Sequence, residues 1–239
     1  MSAAEKALRA VKAAGRRAGV ELLRFNPTNS LDAARPIVVR DRAIDLVLDV
    51  GANQGQWARE LRAEGYRGAL VSFEPFAGAF ERLRATAEGD RAWETRRLAL
   101  GDTNGEVSLY VAANEGASSS LLRMTEAHVD AAPYAGVVNE ERVPLARLDD
   151  VQLPAGEQLF LKLDVQGGEG AVLDGAPETL ERVRVLECEL SLVELYEGQA
   201  LLGEQRLDDA GFELWGLQPS FADWQSGRLL QVDGLFVRG

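Results

Sequence analysis

From residue 44 onward, short apolar runs alternate with amphipathic segments of helical length. This alternation predicts βαβ units, and therefore an α/β fold with a mostly parallel sheet and helices on both faces. The predicted strands cover residues 44–50, 70–74, 94–100, 105–112, 159–165, 183–190, 212–217 and 229–238. Helices are predicted at 56–64, around residues 80–83, at 171–181 and at 201–209. Because no crossover helix separates the last two strands, we expect them to be antiparallel.

The first 40 residues differ from the rest of the chain in charge. They hold eight basic and three acidic residues, a net charge of +5 that leaves −17 on the remainder. Apolar or small residues recur at spacings of three and four between Leu8 and Leu22, which predicts a short amphipathic helix ending before Asn26. We predict an N-terminal helical extension over 1–40 and one domain over 41–239. We favour packing of the helix on the acidic domain; contacts in a homodimer or with an anionic membrane are the alternatives.

Composition excludes several classes of protein. The chain has 239 residues, 46% of them hydrophobic and 27% charged, which is typical of a globular domain. A net charge of −12 argues against a nucleic-acid partner, because the protein would repel the phosphate backbone. No run approaches the roughly 18 apolar residues of a membrane span. The single cysteine, Cys188, and the lack of a secretory signal predict a cytoplasmic protein.

Residues 113–140 are rich in Ala, Ser, Asn and Gly and have weak periodicity. This composition predicts a loop or lid. Its serines, Ser118, Ser119 and Ser120, could hydrogen-bond a polyol or simply belong to a linker. The lid also contains His128, the only histidine of the chain.

Acidic residues and glycines follow the predicted parallel strands, at the sheet edge where open α/β sheets bind ligands. The segment Asp49–Gly55 provides a glycine-rich turn but no G-x-G-x-x-G motif, and a carboxylate at Asp49 disfavours a phosphate. Glu74 follows Gly55 by nineteen residues, close to the offset of acids that bind a ribose diol. Together with Asp164, these acids suit a nucleoside with a positive centre, such as S-adenosylmethionine. Each element alone could equally be a plain turn or a helix cap.

Four motifs resemble those of the FkbM family of S-adenosylmethionine-dependent O-methyltransferases, in order between residues 46 and 215. They are Asp49-Val50-Gly51-Ala52-Asn53-Gln54-Gly55, Phe73-Glu74-Pro75, Leu100-Gly101-Asp102, and Leu161-Lys162-Leu163-Asp164-Val165-Gln166-Gly167-Gly168-Glu169. The resemblance implies a Rossmann-like class I methyltransferase fold, with a seven-stranded, mostly parallel sheet and an antiparallel last strand. It also implies a set of cofactor-binding residues. These are Asp49, Gly51, Asn53 and Gly55 for the methionine part, Glu74 and Pro75 at the ribose, and Leu100, Gly101 and Asp102 at the adenine edge.

The resemblance implies methyl transfer from S-adenosylmethionine to a hydroxyl of a sugar, a glycoconjugate or a secondary metabolite. An alcohol needs a general base or an acidifying metal. We expect Asp164 to be the base, with Glu189 as second candidate and His128 as third. The same carboxylates could instead hold Mg²⁺, with ligands left unassigned. An alternative from another class is a non-catalytic nucleoside-binding or protein-interaction module on the same fold, which would bind the cofactor without turnover.

Overall fold

The computed structural model describes residues 2–23, 25–204, 207 and 210–239. Within these residues the strands are β1 Leu46–Val50, β2 Ala69–Phe73, β3 Trp93–Arg96, β4 Ala99–Leu100, β5 Gly105–Ala112, β6 Val137–Ala146, β7 Leu159–Leu163, β8 Val183–Ser191, β9 Phe212–Ala222 and β10 Leu229–Arg238. The helices are α1 Ala3–Arg17, α2 Leu31–Asp41, α3 Gln56–Ala63, α4 Ala77–Ala87, α5 Glu126–Ala131, α6 Glu169–Asp174 and α7 Pro177–Leu180.

Seven strands form one sheet in the order β3-β2-β1-β7-β8-β10-β9. The pairs from β3 to β8 are parallel, whereas β10 runs antiparallel to both β8 and β9. This arrangement confirms the predicted Rossmann-like fold with a mostly parallel seven-stranded sheet and an antiparallel last strand. Because β1 lies between β2 and β7, the carboxyl ends of these three strands meet at one sheet edge.

The sheet buries both of its faces. Leu48 packs in one core cluster and Val47 in the other, as alternation along a doubly covered strand requires. All five residues of β1 are buried. The apolar runs that predicted the strands therefore reflect burial against helices on both sides.

A second, small sheet has the order β4-β6-β5. The sequence predicted β5, but β6 and α5 both begin inside the segment interpreted as a loop or lid. β6 gave no apolar signal because most of its residues are exposed, and Val143 is its one buried side chain. The predicted strand 94–100 is divided between β3 and β4, which belong to different sheets.

The N-terminal region departs from two predictions. The amphipathic helix exists as α1, but Leu8 and Val11 are 57% and 54% exposed, so the favoured packing of this stripe on the acidic domain is wrong. Helix α2 was not predicted, because it contains Pro36 and carries a charge, Arg35, on its buried face. The homodimer contact, the membrane contact and the domain boundary after residue 40 stay predictions.

Two helices predicted in the C-terminal half of the chain also differ from the structure. The segment 171–181 forms two short helices, α6 and α7, separated at Gly175 and Ala176. The segment 201–204 has turns and an isolated bridge, and 205, 206, 208 and 209 lie outside the described residues. Within the described part of the chain, no helix has the length and apolar character needed to cross a lipid bilayer.

Arg35 joins α2 to the sheet through a buried ion pair. Its Nε and Nη2 atoms lie 2.9 and 3.0 Å from the two carboxylate oxygens of Glu187 on β8. The indole of Trp57 donates to the same carboxylate at 2.9 Å, and the guanidinium lies 5.2 Å from the centre of that ring. Because both charges are buried, each depends on the other for its stability.

We expect Arg35→Met to lower the free energy of unfolding by about 3–5 kcal/mol, because Glu187 would keep a buried charge without its cation. The matched control is Arg40→Met, which removes an exposed pair with Asp41 and should cost less than about 0.5 kcal/mol. Urea denaturation followed by fluorescence measures both changes. Equal stability of the two variants would contradict the prediction.

Candidate functional site

A cavity of about 420 Å³ opens at the carboxyl ends of β1, β2, β4 and β7. Its volume lies in the range of small-molecule sites, roughly 300–1,000 Å³. Seven of the nine predicted cofactor-binding residues line it: Gly51, Asn53, Glu74, Pro75, Leu100, Gly101 and Asp102. Among the predicted catalytic residues, Asp164 lines it as well. The sequence motifs therefore converge on one cavity.

The turn after β1 makes a very close backbone approach to the loop after β7. Gly51 has φ of +79°, and a Cβ atom there would lie 1.8 Å from the carbonyl oxygen of Asp164. No other residue fits this position. Two residues on, Asn53 also adopts a left-handed conformation, with φ of +47°. Such backbone strain is concentrated at functional sites in proteins.

Gly55 and Asp49 lie beneath this turn rather than in the cavity lining. Gly55 has φ of +82° and begins α3, and a Cβ atom there would lie 2.8 Å from Leu83. Both the backbone conformation and the packing therefore require glycine at position 55.

Asp49 is completely buried, because its side chain projects from the central strand toward the face covered by α3. Its Oδ2 atom accepts a hydrogen bond from Ser72 at 3.0 Å, and its Oδ1 atom lies 3.6 Å from Nζ of Lys162. Burial raises the pKa of this carboxyl. Direct contact of the Asp49 side chain with a ligand in the cavity is inconsistent with this placement, because no part of it is exposed.

Glu74 lies at the end of β2 and is 6% exposed. Its two carboxylate oxygens accept hydrogen bonds from the backbone amides of Asn53 and Phe76, each at 2.8 Å. Burial raises the pKa of Glu74 to about 7 despite these two donors. The carboxyl is therefore held rigidly against the turn that contains Gly51, with lone pairs left to accept ligand hydroxyls.

The far end of the cavity combines the β4 end with an apolar wall. Leu100 and Gly101 line it next to Val107 and Leu109 from β5 and Leu145 from β6. The small sheet, which the sequence predicted only in part, thus forms one wall of the site. An apolar wall of this kind suits an aromatic ring system such as a nucleobase.

Asp164 connects the cavity to a network of charged and amide groups. One oxygen accepts a hydrogen bond from Lys162 at 3.2 Å and the other from Gln166 at 2.8 Å. Its side chain is 39% exposed, so it can meet a ligand. Lys162 lies between Asp49 and Asp164 and neutralises part of their charge.

Glu189 lies at the end of β8 and lines an adjoining cavity of about 200 Å³ that shares Asp164. Its Oε2 atom accepts hydrogen bonds from Gln166 at 2.9 Å and from Gln231 at 2.8 Å. Burial, followed by the charges of Asp164, Glu169 and Asp233, raises the pKa of Glu189 well above its usual range. A raised pKa favours the protonated form of a carboxyl, which cannot act as a general base.

His128 is buried in the wall behind the site rather than placed in the cavity. Its ring packs against Tyr196 and Phe221, with centroid distances of 5.1 and 5.6 Å. Burial lowers the pKa of His128, and its Nδ1 atom has no hydrogen-bond partner among the described residues. The predicted role as a base is not supported by this position, because packing against two aromatic rings keeps the imidazole out of the cavity lining.

The three serines of the predicted lid are used internally. The Ser119 hydroxyl accepts a hydrogen bond from the Ala112 amide, and that of Ser118 from the Asn114 side chain. Ser120 donates to the backbone carbonyl of Gln166 at 2.7 Å. These bonds hold the segment against the cavity, which Ser119 and Ser120 also line.

Gln166 was not predicted as a site residue, although it lines the cavity and bridges Asp164 and Glu189. The signal available was its place in the Asp-Val-Gln-Gly-Gly segment, between a strand-end acid and two glycines. A glutamine in a loop has no distinctive chemistry in sequence, so only the structure shows what it contacts.

The residues do not fit a Mg²⁺ site. Across the described ranges, no three His, Cys, Asp or Glu side chains are arranged to hold a metal ion. Between the carboxylates of Asp49 and Asp164, the cation is the ammonium of Lys162.

Comparisons with known proteins agree with the motifs. The model of the methyltransferase FkbM domain matches residues 49–224. A curated relative, the 2-O-methyltransferase NoeI of Sinorhizobium fredii, is 30% identical over 181 residues, covering 72% of this chain and 74% of the relative.

The solved structures that this chain is similar to are much more distant in sequence. TehB from Haemophilus influenzae has 10% identity and a TM-score of 0.48, covering 86% of this chain and 62% of that one. Magnesium protoporphyrin IX methyltransferase from Synechocystis PCC 6803 has 12% identity and a TM-score of 0.47. The match covers 86% of this chain and 76% of that one. The family match covers well over half of the sequence and contains the whole cavity edge of the sheet. The chain therefore belongs to the FkbM methyltransferase family.

Proposed function

We propose that this protein transfers a methyl group from S-adenosylmethionine to a hydroxyl oxygen of a sugar, a glycoconjugate or a secondary metabolite. The observation that carries the proposal is the convergence of the Gly51 turn, the Glu74 carboxyl and the Asp164 carboxyl on one cavity. The name of the Sinorhizobium fredii relative, a 2-O-methyltransferase, supports oxygen as the acceptor atom. The buried single cysteine suits a reducing compartment, and we propose the cytoplasm.

The cavity residues fit the parts of the cofactor. The Gly51–Asn53 turn would border the methionine part. Glu74 would accept hydrogen bonds from the ribose hydroxyls, and Leu100–Asp102 with the small sheet would border the adenine. When bound, S-adenosylmethionine would supply an electrophilic methyl group on a sulfonium. A net negative cavity complements these positive centres.

The protein would act chiefly by orientation and proton removal. Holding the acceptor oxygen in line with the methyl carbon and the sulfur accounts for most of the rate enhancement in such displacements. Asp164 would accept the hydroxyl proton as the oxygen attacks, and the carbon–sulfur bond electrons would remain on sulfur. Asp164 is better suited than Glu189, because it is more accessible in the cavity and Glu189 has a raised pKa.

Polar groups near Asp164 favour a hydroxylated acceptor. Gln166 and Ser120 line the cavity, and the adjoining cavity offers Glu189 and Asp233. Carboxylates and amides are the groups that bind polyols through several hydrogen bonds. The second candidate, a non-catalytic nucleoside-binding module, is distinguished by binding without turnover in the experiments below.

Glu74→Gln should weaken S-adenosylhomocysteine binding about tenfold, since it removes the charged acceptor for the ribose hydroxyls. Gly51→Ala should weaken it at least about a hundredfold, because the added methyl group would collide with the Asp164 carbonyl. Isothermal titration calorimetry measures both effects, with exposed Glu106→Gln as the matched control. Wild-type affinity in both variants would place the ligand elsewhere.

Binding should tighten about tenfold from pH 6 to pH 8. The pKa of Glu74 is raised to about 7, so at pH 6 most molecules hold a protonated carboxyl that accepts hydrogen bonds poorly. Of the neighbouring charges, Asp49 raises this pKa and Lys162 lowers it. The Glu74→Gln variant should lose the pH dependence. Tighter binding at pH 6 in the wild type would contradict the assignment.

Asp164→Asn should lower kcat at least about a hundredfold while S-adenosylhomocysteine affinity changes by less than about threefold. Methyl transfer to a panel of glycosides and hydroxylated metabolites, followed with a labelled cofactor, provides the assay. Exposed Asp174→Asn is the matched control. Wild-type binding with no transfer to any member of the panel would favour the non-catalytic module.

A further inference from the structure

Gln166 has every polar atom of its side chain engaged in the cavity wall. Its Nε2 atom donates to Asp164 Oδ1 at 2.8 Å and to Glu189 Oε2 at 2.9 Å. Its Oε1 atom accepts a hydrogen bond from the hydroxyl of Tyr196 at 2.6 Å. The amide therefore bridges two carboxyl groups that come from different strand ends, β7 and β8.

The orientation of this amide is fixed from outside the cavity. The Tyr196 hydroxyl also lies 3.1 Å from the Ser118 carbonyl, so its proton is shared between two acceptors on the same side. The Ser120 hydroxyl donates to the backbone carbonyl of Gln166 at 2.7 Å. The backbone of Gln166 has φ of +56°, a strained conformation that these contacts maintain. If the side-chain amide rotated by 180°, its oxygen would face both carboxyl groups in place of the N–H donors.

We infer that Gln166 is a positioning residue, which holds Asp164 in the orientation needed to accept the acceptor's proton and keeps Glu189 at a fixed distance from it. This inference rests on the proposed methyl transfer. Gln166 acts through Asp164, and Tyr196 acts through Gln166. A glutamine is required because one end of the amide must donate twice while the other accepts.

Several carboxyl groups surround Glu189, so the N–H donors of Gln166 affect its charge state. Glu189 faces Asp164 and Lys162 from β7, Glu169 from α6, and Asp233 from β10. Three of these four neighbours are acidic, so they disfavour a second negative charge. An N–H donor stabilises the ionised form of a carboxyl. Loss of the Gln166 amide should therefore raise the pKa of Glu189 further.

The test compares variants at position 166. Gln166→Asn keeps the amide and suits a left-handed backbone, but its side chain is one methylene too short for the bridge. Gln166→Glu keeps the length but presents oxygens to both carboxyl groups. We expect both variants to lower kcat at least about tenfold, while S-adenosylhomocysteine affinity stays within about threefold. Lowering the pH should partly restore activity in Gln166→Glu, because the protonated carboxyl regains one donor.

Two matched controls accompany these variants. Gln225→Asn shortens an exposed glutamine, and Tyr134→Phe removes an exposed phenol hydroxyl, so both should behave as wild type. Tyr196→Phe should lower kcat about three- to tenfold, because the Gln166 amide stays in place but loses the hydrogen bond that fixes its orientation. The KM for the cofactor should not change in any of them.

A second readout does not depend on activity. Carboxyl carbon NMR titration, with Glu189→Gln for assignment, should show Glu189 titrating at least about 0.5 pH units higher in Gln166→Asn, because that variant loses the N–H donor. Unchanged titration in that variant overturns the inference. If the wild type transfers methyl groups and the Gln166 variants have the same kcat, the inference about Gln166 is also overturned, but the proposed methyl transfer is not. Failure of the wild type to bind S-adenosylhomocysteine would instead contradict the proposed function, and the titration still decides the role of Gln166.

Discussion

The site depends on the backbone contact between Gly51 and the carbonyl of Asp164. A Cβ atom at residue 51 would lie 1.8 Å from that oxygen, so the two strand-end loops can meet only because Gly51 has no side chain. Their contact brings the Glu74 turn and the Asp164 carboxyl around one cavity. The cavity wall therefore depends on the parallel pairing of β1 with β7.

Buried charge is the second constraint on this part of the molecule. Lys162 lies between Asp49 and Asp164, and Arg35 lies against Glu187 one strand further along the sheet. Each cation offsets part of the negative charge of the carboxyl groups beside it. Burial, followed by the charges of neighbouring carboxyl groups, raises the pKa of Glu189. The same sheet edge thus holds carboxyl groups in different electrostatic environments.

Much of the fold was predictable, because burial on two faces and the 3.6-residue helical period leave strong apolar patterns. The strands of the main sheet and their parallel or antiparallel sense followed from these patterns. β6 did not, since its side chains are mostly exposed, and neither did α2, whose buried face carries Arg35. The exposed stripe of α1 shows that an amphipathic pattern alone does not identify what it packs against.

The family, the sheet and the strand ends that surround the cavity were readable from the sequence, because motifs of glycines and acids follow apolar strands at fixed spacing. The sequence did not separate Asp49, buried under the turn, from Gly51 and Glu74, which line the cavity, because the burial of each strand end depends on which helix covers it. It gave His128 a catalytic role that its packing against Tyr196 does not support. The bridge joins Tyr196 to Gln166, thirty positions earlier in the chain, and through Gln166 to Asp164. Only tertiary structure brings such residues together, since their contact depends on sheet order and loop conformation rather than on local pattern.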